Sequence, residues 1–263
     1  MSTVSTIRPL HGDRLGLRYG LRVLASEIKY EFIARLRLRV YAFSVIGFPV
    51  IFYVLFAVVQ KISGAGTYLL ATFSCFGVVG ACLFGLGVGV SQERMQGWLD
   101  LKLASPMPRW TYLGAKLASC ILFGVIIVTI LLAIGISAGG VHITVIEALK
   151  LYGVVLVGVI PFSAMGIMLA MLVKPNAAPG TINMIYLPMS ALSGLWTPFS
   201  ALPHWLKQIA PIWPTYHYGQ LALGVFGYAQ PGSVWVHWNW LIAFSCLTLG
   251  GAWWIFARSE SKA

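Results

Sequence analysis

The chain has 263 residues, of which 59% are hydrophobic and 10% are charged, and its formal net charge is +11. Because soluble domains carry about 25% charged residues, this composition excludes an ordinary soluble enzyme and predicts a membrane protein. The basic residues form no motif that reads a nucleic-acid groove, so we expect no nucleic-acid partner.

Residues 1–39 are predicted to form a polar tail followed by an amphipathic connecting helix. Apolar side chains recur every three or four residues along this segment, at Leu17, Leu21, Leu24, Ile28, Phe32 and Leu36. Arg18, Arg22 and Lys29 lie largely on its other faces. The pattern favours a helix that lies in the membrane interface, although a helix that merely precedes the first membrane span would show the same periodicity.

Residues 40–263 are predicted to form a six-helix transmembrane domain, because they contain six apolar runs long enough to cross a bilayer. The runs are Val40–Val59, Tyr68–Val90, Leu117–Val141, Leu151–Val173, Ala177–Thr197 and Trp240–Ala257, and none contains Asp, Glu, Lys, Arg or His. We therefore predict an all-α polytopic membrane protein in which an N-terminal interfacial helix precedes six transmembrane helices.

The second predicted span carries a row of small residues four positions apart. The row consists of Gly77, Ala81, Gly85 and Gly89. Small residues at this spacing let two helices approach closely. The row therefore favours close packing, either within the chain or against a second copy of it.

The lysines and arginines are distributed unequally between the two sides of the predicted bundle. With six spans both termini share one side, and 15 of the 18 basic residues fall on that side. Because basic residues are enriched in cytoplasmic loops, we predict a multi-pass plasma-membrane protein whose termini are both cytoplasmic. The same residues are expected to contact anionic lipid headgroups.

The chain carries none of the motifs that would make it an enzyme or an ion-coupled carrier. It has no Walker A motif, no Ser-His-Asp arrangement and no metal-ligand spacing, and its four cysteines fall within the predicted spans. Ion-coupled carriers usually keep ionisable residues in their spans, whereas these spans have none. We therefore expect no catalysis and no cofactor or metal bound by this chain, with energy supplied by an ATP-hydrolysing partner.

The charged stretch SQERMQGWLDLKLASPMPRW, residues 91–110, separates the second and third predicted spans. We predict a cytoplasmic helix within it, at about residues 92–103. The apolar side chains that could fill a groove on a partner are Met95, Trp98, Leu99 and Leu101, and the polar rim would consist of Glu93, Arg94, Asp100 and Lys102. The alternative is an ordinary interfacial loop with a solvated charged face.

The same stretch resembles a motif of the ATP-binding-cassette type-2 (ABC-2) exporter permeases. In the segment ERMQGWLDLKLASPMPRWTYLGAK, the residues that match the family motif in order are Glu93, Arg94, Gly97, Ser105, Pro106, Gly114 and Lys116. Two positions depart from the motif. Met95 stands where the family often has an acidic residue, and Ala115 separates Gly114 from Lys116.

A second block resembles the exit of the fifth span in the same family. In LPMSALSGLWTPFSALPHWLKQIAPIWPTYHYGQ, the residues that fit are Ser193, Gly194, Leu195, Pro198, Leu202, Pro203, Trp205, Leu206, Pro211 and Pro214. With the six spans and the N-terminal helix, the resemblance covers almost the whole chain. It implies a permease of the bacterial inner membrane.

The resemblance also implies partners. Two membrane chains, expected to be a homodimer, would work with two copies of a separate ABC ATPase subunit that holds ATP and Mg. The residues expected to couple the chain to the ATPase are Glu93, Arg94, Gly97, Trp98, Leu99 and Leu101. The N-terminal helix and this coupling segment would receive the movement of the ATPase.

The segment at about residues 198–228 is expected to form short re-entrant helices between spans five and six on the outer side. Its marker residues are Pro198, Pro203, Trp205, Pro211 and Pro214. Tryptophan and tyrosine suit the headgroup region of a membrane. The alternative for this segment is an exposed outer loop.

A substrate pathway is expected near the axis of the dimer, on spans one, two and five. The candidate lining residues are Phe48, Phe52, Phe73, Phe76, Asn183, Tyr186, Met189 and Leu192. Aromatic and methionine side chains suit a hydrophobic or amphipathic cargo such as a drug, an antibiotic or a lipid-linked compound. The alternatives are a polysaccharide-exporting permease of the same family and a membrane scaffold or sensor subunit that transports nothing.

Overall fold

The computed structural model describes residues 17–60 and 65–260, with the backbone alone at residues 100, 103, 109 and 256–260. The predicted tail of residues 1–16 lies outside the described residues. Within these bounds the chain consists of helices and connecting turns and has no strand. The all-α prediction is confirmed for this part of the chain.

The first helices in chain order are α1 (Leu17–Arg37), α2 (Arg39–Val59), α3 (Gly66–Met95), α4 (Trp98–Ala104) and α5 (Arg109–Ser137). They are followed by α6 (Val145–Val157), α7 (Val159–Leu172), α8 (Ala178–Leu192), α9 (His204–Ile209), α10 (Pro214–Gly224) and α11 (Val234–Glu260). The helices α6 and α7 follow each other directly at Gly158 and form one long helix.

Four helices of the described chain are long and apolar enough to cross a membrane. They are Arg39–Val59, Gly66–Met95, Trp110–Ser137 and Val145–Leu172, and they correspond to the first four predicted spans. The helix at the fifth predicted span, α8, has only 15 residues, and α11 begins with a stretch that contains His237 and Asn239. The six-span count therefore remains a prediction.

The centre of the bundle is α3, which is buried along almost its whole length. Phe73, Phe76 and Leu83 on this helix are fully buried. The predicted row of small residues packs within the chain, since a Cβ atom added at Gly77 would lie 2.7 Å from Ile127 and one at Gly89 would lie 2.6 Å from Arg35. Intrachain packing explains this row.

Two of the long helices contain π-helical segments. These segments are Phe43–Gly47 and Val54–Val59 in α2 and Leu83–Val88 in α3. A π-helical turn is wider than an α-helical one and commonly occurs near functional sites. The segment in α3 lies directly before the turns that carry Glu93 and Arg94.

The N-terminal helix α1 packs on α5. The Phe32 and Phe123 rings lie 5.2 Å apart between centroids, and a Cβ atom added at Gly20 would lie 2.6 Å from the Trp110 ring. Leu17 and Leu21 remain exposed on this helix. The predicted amphipathic helix is therefore present, with part of its apolar face held against the bundle and part left uncovered.

The segment predicted to be re-entrant does contain short helices, α9 and α10. The residues from Pro214 to Leu223 are all buried in the bundle. Tyr218 donates a hydrogen bond of 2.5 Å to the Val155 carbonyl, and its ring occupies the space beside Gly158. The depth of this segment in a membrane remains a prediction.

Candidate functional site

A buried ion network joins α1, α3 and α5 at one end of the bundle. Lys116 on α5 is 1% exposed. Its ammonium lies 3.0 Å from the Glu31 carboxylate on α1 and 2.7 Å from the Glu93 carboxylate on α3. A buried charge is costly unless it is paired, so these two carboxylates explain how the bundle accommodates the lysine.

Arg35 completes the network from the α1 side. Its Nε donates a 2.6 Å hydrogen bond to Glu31, and its guanidinium lies beside Gly89, where a larger residue would displace it. Burial alone would raise the pKa of Glu31, but the nearby Arg35 and Lys116 cations outweigh it and lower the pKa to about 2. Glu31 is therefore ionised at neutral pH.

The short helix α4 is attached to the same network. The Lys102 ammonium lies 3.2 Å from the Glu27 carboxylate on α1 and 5.3 Å from the centre of the Tyr112 ring. The Tyr112 hydroxyl donates a 2.6 Å hydrogen bond to Glu93. Helix α4 thus contacts the helices that carry the buried ions, through an ion pair that is itself partly exposed.

The segment predicted as one coupling helix consists of two helices. Helix α3 continues to Met95, Gly97 adopts a left-handed conformation with φ of 71°, and α4 begins at Trp98. A left-handed residue ends an α-helix, and glycine adopts this conformation without steric cost. Glu93 and Arg94 therefore belong to the end of α3.

The predicted coupling residues divide into inward and outward groups. Trp98 and Leu101 are exposed on α4, whereas Leu99 packs beside Val90 and Tyr112 in a small apolar cluster. Glu93 faces Lys116, as described above. Only part of the predicted set is therefore available to an external partner.

Arg94 joins the end of α3 to the end of α7. Its Nη1 donates a 2.5 Å hydrogen bond to the Ala170 carbonyl, which also accepts a 3.4 Å hydrogen bond from the Ser91 hydroxyl. The last carbonyls of a helix lack partners within the helix and carry a partial negative charge. An arginine there stabilises the helix end and fixes the position of α7 against α3.

A cavity of about 830 Å³ opens beside the ion network, and we call it the charged cavity. Its wall includes Glu31, Arg35 and Glu93, together with Trp98 of α4 and Asn183 of α8. It therefore lies between the exposed coupling helix and one of the residues predicted to line the substrate pathway.

Five of the predicted pathway residues form a continuous aromatic ladder. Centroid distances between successive rings are 6.0 Å for Phe48–Phe52, 6.2 Å for Phe52–Phe73, 6.1 Å for Phe73–Phe76 and 4.8 Å for Phe76–Tyr186. Phe84, which lines the charged cavity, continues the ladder at 5.8 Å from Tyr186. The ladder thus joins α2, α3 and α8 and ends at the wall of the cavity.

The other predicted pathway residues differ in exposure. Met189 is buried, Leu192 is partly buried, and Asn183 is exposed. The Tyr186 hydroxyl donates a 2.9 Å hydrogen bond to the Phe76 carbonyl, so its polar atom is satisfied within the chain. Asn183 is the polar residue of the set that faces open space.

The structure places the marker residues of the predicted re-entrant segment at helix ends. Pro203 precedes α9, Pro214 begins α10, and the Pro211 carbonyl accepts a 2.8 Å hydrogen bond from His217 Nε2. Pro198 precedes a single turn of 3-10 helix. Trp205 is exposed on α9.

Several functional candidates could not be found from the sequence pattern. The pairing of Glu31 with Lys116 cannot be predicted from the sequence, because 85 residues separate the two and no local spacing joins them. Phe56 and Trp196 also extend the aromatic ladder, with the Trp196 ring 5.5 Å from Phe52. In the sequence, the only indication that these two residues belong to the ladder is that they lie in apolar runs close to other aromatic residues.

A comparison with known protein families shows which family the chain belongs to. A family model described as ABC-2 type transporter matches residues 23–226. The chain belongs to the ABC-2 type transporter family. The match begins within α1 and ends just after α10, so it includes the ion network, α4, the charged cavity and the aromatic ladder.

Curated relatives carry related names. The chain is 28% identical over 181 residues to YvfS of Bacillus subtilis (strain 168), which is named a transport permease, and this covers 68% of the chain and 73% of the relative. It is 28% identical over 169 residues to YbhR of Escherichia coli (strain K12), named a multidrug ABC transporter permease. That match covers 63% of the chain and 45% of the relative, so the chain spans about half the length of YbhR.

Membership of the ABC-2 family shows what kind of protein this is. The chain is a transmembrane transport component that is not itself catalytic. The family implies that it works with an ATPase partner. The apolar helices described above fit this assignment, and the predicted resemblance is confirmed.

Proposed function

We propose that the chain is the permease half of an ATP-driven exporter in the plasma membrane of a bacterium. In a bacterium with two membranes, this is the inner membrane. In this proposal a homodimer of the chain works with two copies of a separate ATPase subunit that binds ATP and Mg. Six helices cross the membrane, and both termini and α4 face the cytoplasm. Family membership and the unequal distribution of lysine and arginine support this arrangement.

The attachment of α4 to the bundle is the observation that carries the proposal. Exposed Trp98 and Leu101 offer an apolar surface for a partner, while Lys102 holds α4 against α1. Behind α4, the Lys116 network joins α1 to α3 and α5. Coupling between distant sites needs packed elements that move together, and these contacts supply them.

The six coupling residues then have two roles. Trp98 and Leu101 contact the ATPase. Glu93, Arg94, Gly97 and Leu99 set the position of α4 relative to α3, α5 and α7 through the contacts described above. Movement of the ATPase would be transmitted by α4 to the wall of the charged cavity.

The charged cavity and the aromatic ladder define the proposed path. A compound would enter the cavity beside Asn183 and move along the ladder when the two chains of the dimer separate at α2 and α8. The rings favour a hydrophobic or amphipathic compound, and the charges at the entrance favour one with a polar end. The segment at residues 198–228 would close the path on the outer side.

The proposal is tested by reconstituting the purified chain with its ATPase in vesicles. We expect ATP-dependent movement of an amphipathic fluorescent dye, and no ATP hydrolysis by the chain alone. A chain that binds the ATPase and leaves dye and oligosaccharide unmoved would be a scaffold or sensor. Movement of an oligosaccharide but not of the dye would contradict the proposed substrate class.

A further inference from the structure

A second cavity lies at the end of the bundle opposite the ion network. Its volume is about 570 Å³, and we call it the glycine-lined cavity because Gly153, Gly224 and Gly232 contribute to its wall. It lies between α6, α10 and the first turns of α11. No residue of α2 or α8 contributes to it, so it is separate from the aromatic ladder.

The wall of this cavity contains one cation and no acidic residue. Lys150 lies in the wall and forms no ion pair within the described part of the chain. Glu147, one turn earlier on α6, uses its carboxylate to accept a 2.7 Å hydrogen bond from the Thr144 backbone in a capping box. Glu147 keeps its negative charge and attracts Lys150, but it does not line the cavity. Lys150 is therefore the charge that an occupant meets in the wall, and it favours an anionic group.

Gln220 supplies an unused hydrogen-bond donor in the same wall. Its side chain is 3% exposed, and its carbonyl oxygen accepts a 2.7 Å hydrogen bond from the Gln230 backbone. Among the described residues nothing accepts a hydrogen bond from its amide nitrogen. Because Gln220 lines the cavity, an occupant with acceptor oxygens can take up this free donor.

Most of the remaining wall is apolar, and the cavity opens on the surface of the helix bundle. Val154, Val157 and Leu221 line it. Gly153 lies inside α6, where glycine costs up to about 1 kcal/mol relative to alanine, yet no atom lies within 4 Å of the position that its Cβ would occupy. Packing within the chain therefore does not require this glycine, and its absent side chain widens the cavity.

The flank beside the cavity shows what could enter it. Val145, Ile146 and Leu149 on α6 and Val234 on α11 are exposed apolar residues. In a membrane protein such a flank contacts acyl chains. His237, which also lines the cavity, is already engaged through its Nδ1 atom, 2.8 Å from that of His217. The remaining side-chain donors in the wall are Lys150, the amides of Gln220 and Gln230 and the indole of Trp238, and Lys150 is the cationic one.

From this combination we infer that the glycine-lined cavity binds one anionic phospholipid. The phosphate accepts hydrogen bonds from the Lys150 ammonium and the Gln220 amide, and an acyl chain lies along Gly153, Val157 and Leu221. The inference rests on the topology given under the proposed function, in which this end of the bundle lies in the outer leaflet. Because the lipid would touch α10, it would fix that helix against α6 and α11.

Native mass spectrometry of the delipidated full chain in detergent tests this inference. Titration with phosphatidylglycerol should show one tightly bound lipid per chain, and phosphatidylcholine should bind more weakly. A lysine near an anionic surface contributes about 1 kcal/mol, so Lys150→Gln should weaken binding about fivefold. Gly153→Leu, which fills the cavity, should remove the tight site.

Gln220→Glu is the sharpest variant because it retains the carbonyl that accepts from Gln230 and replaces the amide donor by a negative charge. It should weaken phosphatidylglycerol binding more than Lys150→Gln does. The matched controls are Lys207→Gln on α9 and Gly250→Leu on α11, since neither residue lines the cavity and no atom lies within 4 Å of a Cβ added at Gly250. Both controls should bind the lipid like the unmodified chain.

Three results would overturn the inference. They are equal binding of both lipids, unchanged binding in the three cavity variants, and competition by glycerol phosphate, which would indicate a site for a free phosphate ester. The assay contains no ATPase and measures no transport. A chain that binds the lipid but transports nothing would contradict the proposed function alone, and a transporting chain without the lipid site would contradict this inference alone.

Discussion

At the scale of single residues, the bundle holds a charged side chain by surrounding it with partners from other helices. Lys116 has two carboxylates within 3.0 Å and the Tyr112 ring at 4.9 Å. A buried ion pair adds little net stability compared with a well-packed apolar group, whereas removing one partner leaves an unpaired buried charge. The main effect of the network is therefore to fix how α1, α3 and α5 pack against one another. Its net contribution to the free energy of unfolding is small.

Lys116→Met should destabilise the chain strongly. The substitution leaves Glu31 and Glu93 without their shared cation, and breaking a buried pair in this way costs about 3–5 kcal/mol. Thermal unfolding in detergent would show a lowered midpoint, while Lys207→Met on α9 should change it little. Addition of Glu93→Gln to Lys116→Met should recover much of the loss, because Glu31 keeps Arg35 as its partner, and a double variant as unstable as the single one would contradict this explanation.

The pH dependence of Glu31 follows from its lowered pKa. Its folded-state pKa of about 2 lies below the ordinary value of 4.5, so its ionised form stabilises the folded state. This contribution, on the order of 3 kcal/mol, is complete above about pH 4.5 and is lost as the pH falls toward 2. Unfolding of the unmodified chain and of Glu31→Gln should therefore differ most near neutral pH.

Measured against pH, the gap in free energy of unfolding between these two chains should narrow from about pH 4.5 down to 2. Other carboxylates titrate in the same range, but they are common to both chains and cancel in the difference. A gap that stays constant over this interval would show that Glu31 is not held ionised by Arg35 and Lys116.

At the scale of helices, α4 is a short element whose position depends on its neighbours. It begins at a left-handed glycine and ends before the Ser105–Pro108 turn, and seven residues are too few to be stable alone. Its attachment through Lys102 and Leu99 leaves Trp98 and Leu101 exposed. An exposed tryptophan on a fixed short helix is well placed to be a central contact for a partner.

Trp98→Ala should uncouple the chain from its ATPase without unfolding it. Loss of a central interface anchor costs about 2 kcal/mol or more, which is roughly a thirtyfold loss of association. Affinity of the ATPase for the variant, measured in detergent, should fall by this factor while the unfolding midpoint stays unchanged. Trp235→Ala on α11, which removes an equally large exposed ring at the other end of the bundle, should retain full affinity.

Normal ATPase affinity in Trp98→Ala would show that α4 is a solvated loop element and not a docking surface. A decrease in affinity that is equal for Trp98→Ala and Trp235→Ala would point to a general effect of removing surface tryptophans. The specific pattern, with loss at Trp98 alone, is what the proposed coupling requires.

The helices also show what could be predicted from the sequence. The first four spans could be predicted because apolar runs of that length are typical of membrane-crossing helices. The aromatic residues at positions 48, 52, 73 and 76 lie in the first two of these spans and Tyr186 lies in the fifth predicted span, and their role as a pathway stays a prediction. The break at Gly97 could not be predicted because glycine also occurs inside helices, so its presence alone does not show that a helix ends there. The charged network was missed because pairing of Glu31, Glu93 and Lys116 depends on how three helices meet.

At the scale of the whole molecule, the glycine-lined cavity and the contact beside the ion network lie at opposite ends of one long helix. Lys150 of the glycine-lined cavity and Ala170, which Arg94 contacts beside the ion network, belong to the continuous helix Val145–Leu172. Twenty residues of α-helix span about 30 Å, close to the thickness of the apolar core of a bilayer. Along this helix, the glycine-lined cavity and the Arg94 contact beside the ion network are therefore about 30 Å apart.

Cysteine labelling tests the resulting orientation. In a chain without its four native cysteines, a single cysteine at Gln96 should be protected from an impermeant thiol reagent in intact cells and should react after the cells are opened. A cysteine at Ser233 should react in intact cells. Both positions are exposed, so burial would not explain protection. Labelling at Gln96 from outside would contradict the proposed orientation.

The π-helical segments in α2 and α3 have a consequence for how the length of this chain can vary. Each such turn accommodates one residue more than an α-helical turn, so deleting a residue within Leu83–Val88 can restore an ordinary helix while both flanks keep their rotational register. A deletion elsewhere in α3 would rotate everything beyond it by about 100° and turn Glu93 away from Lys116. Single-residue insertions and deletions among family members should therefore concentrate in these segments.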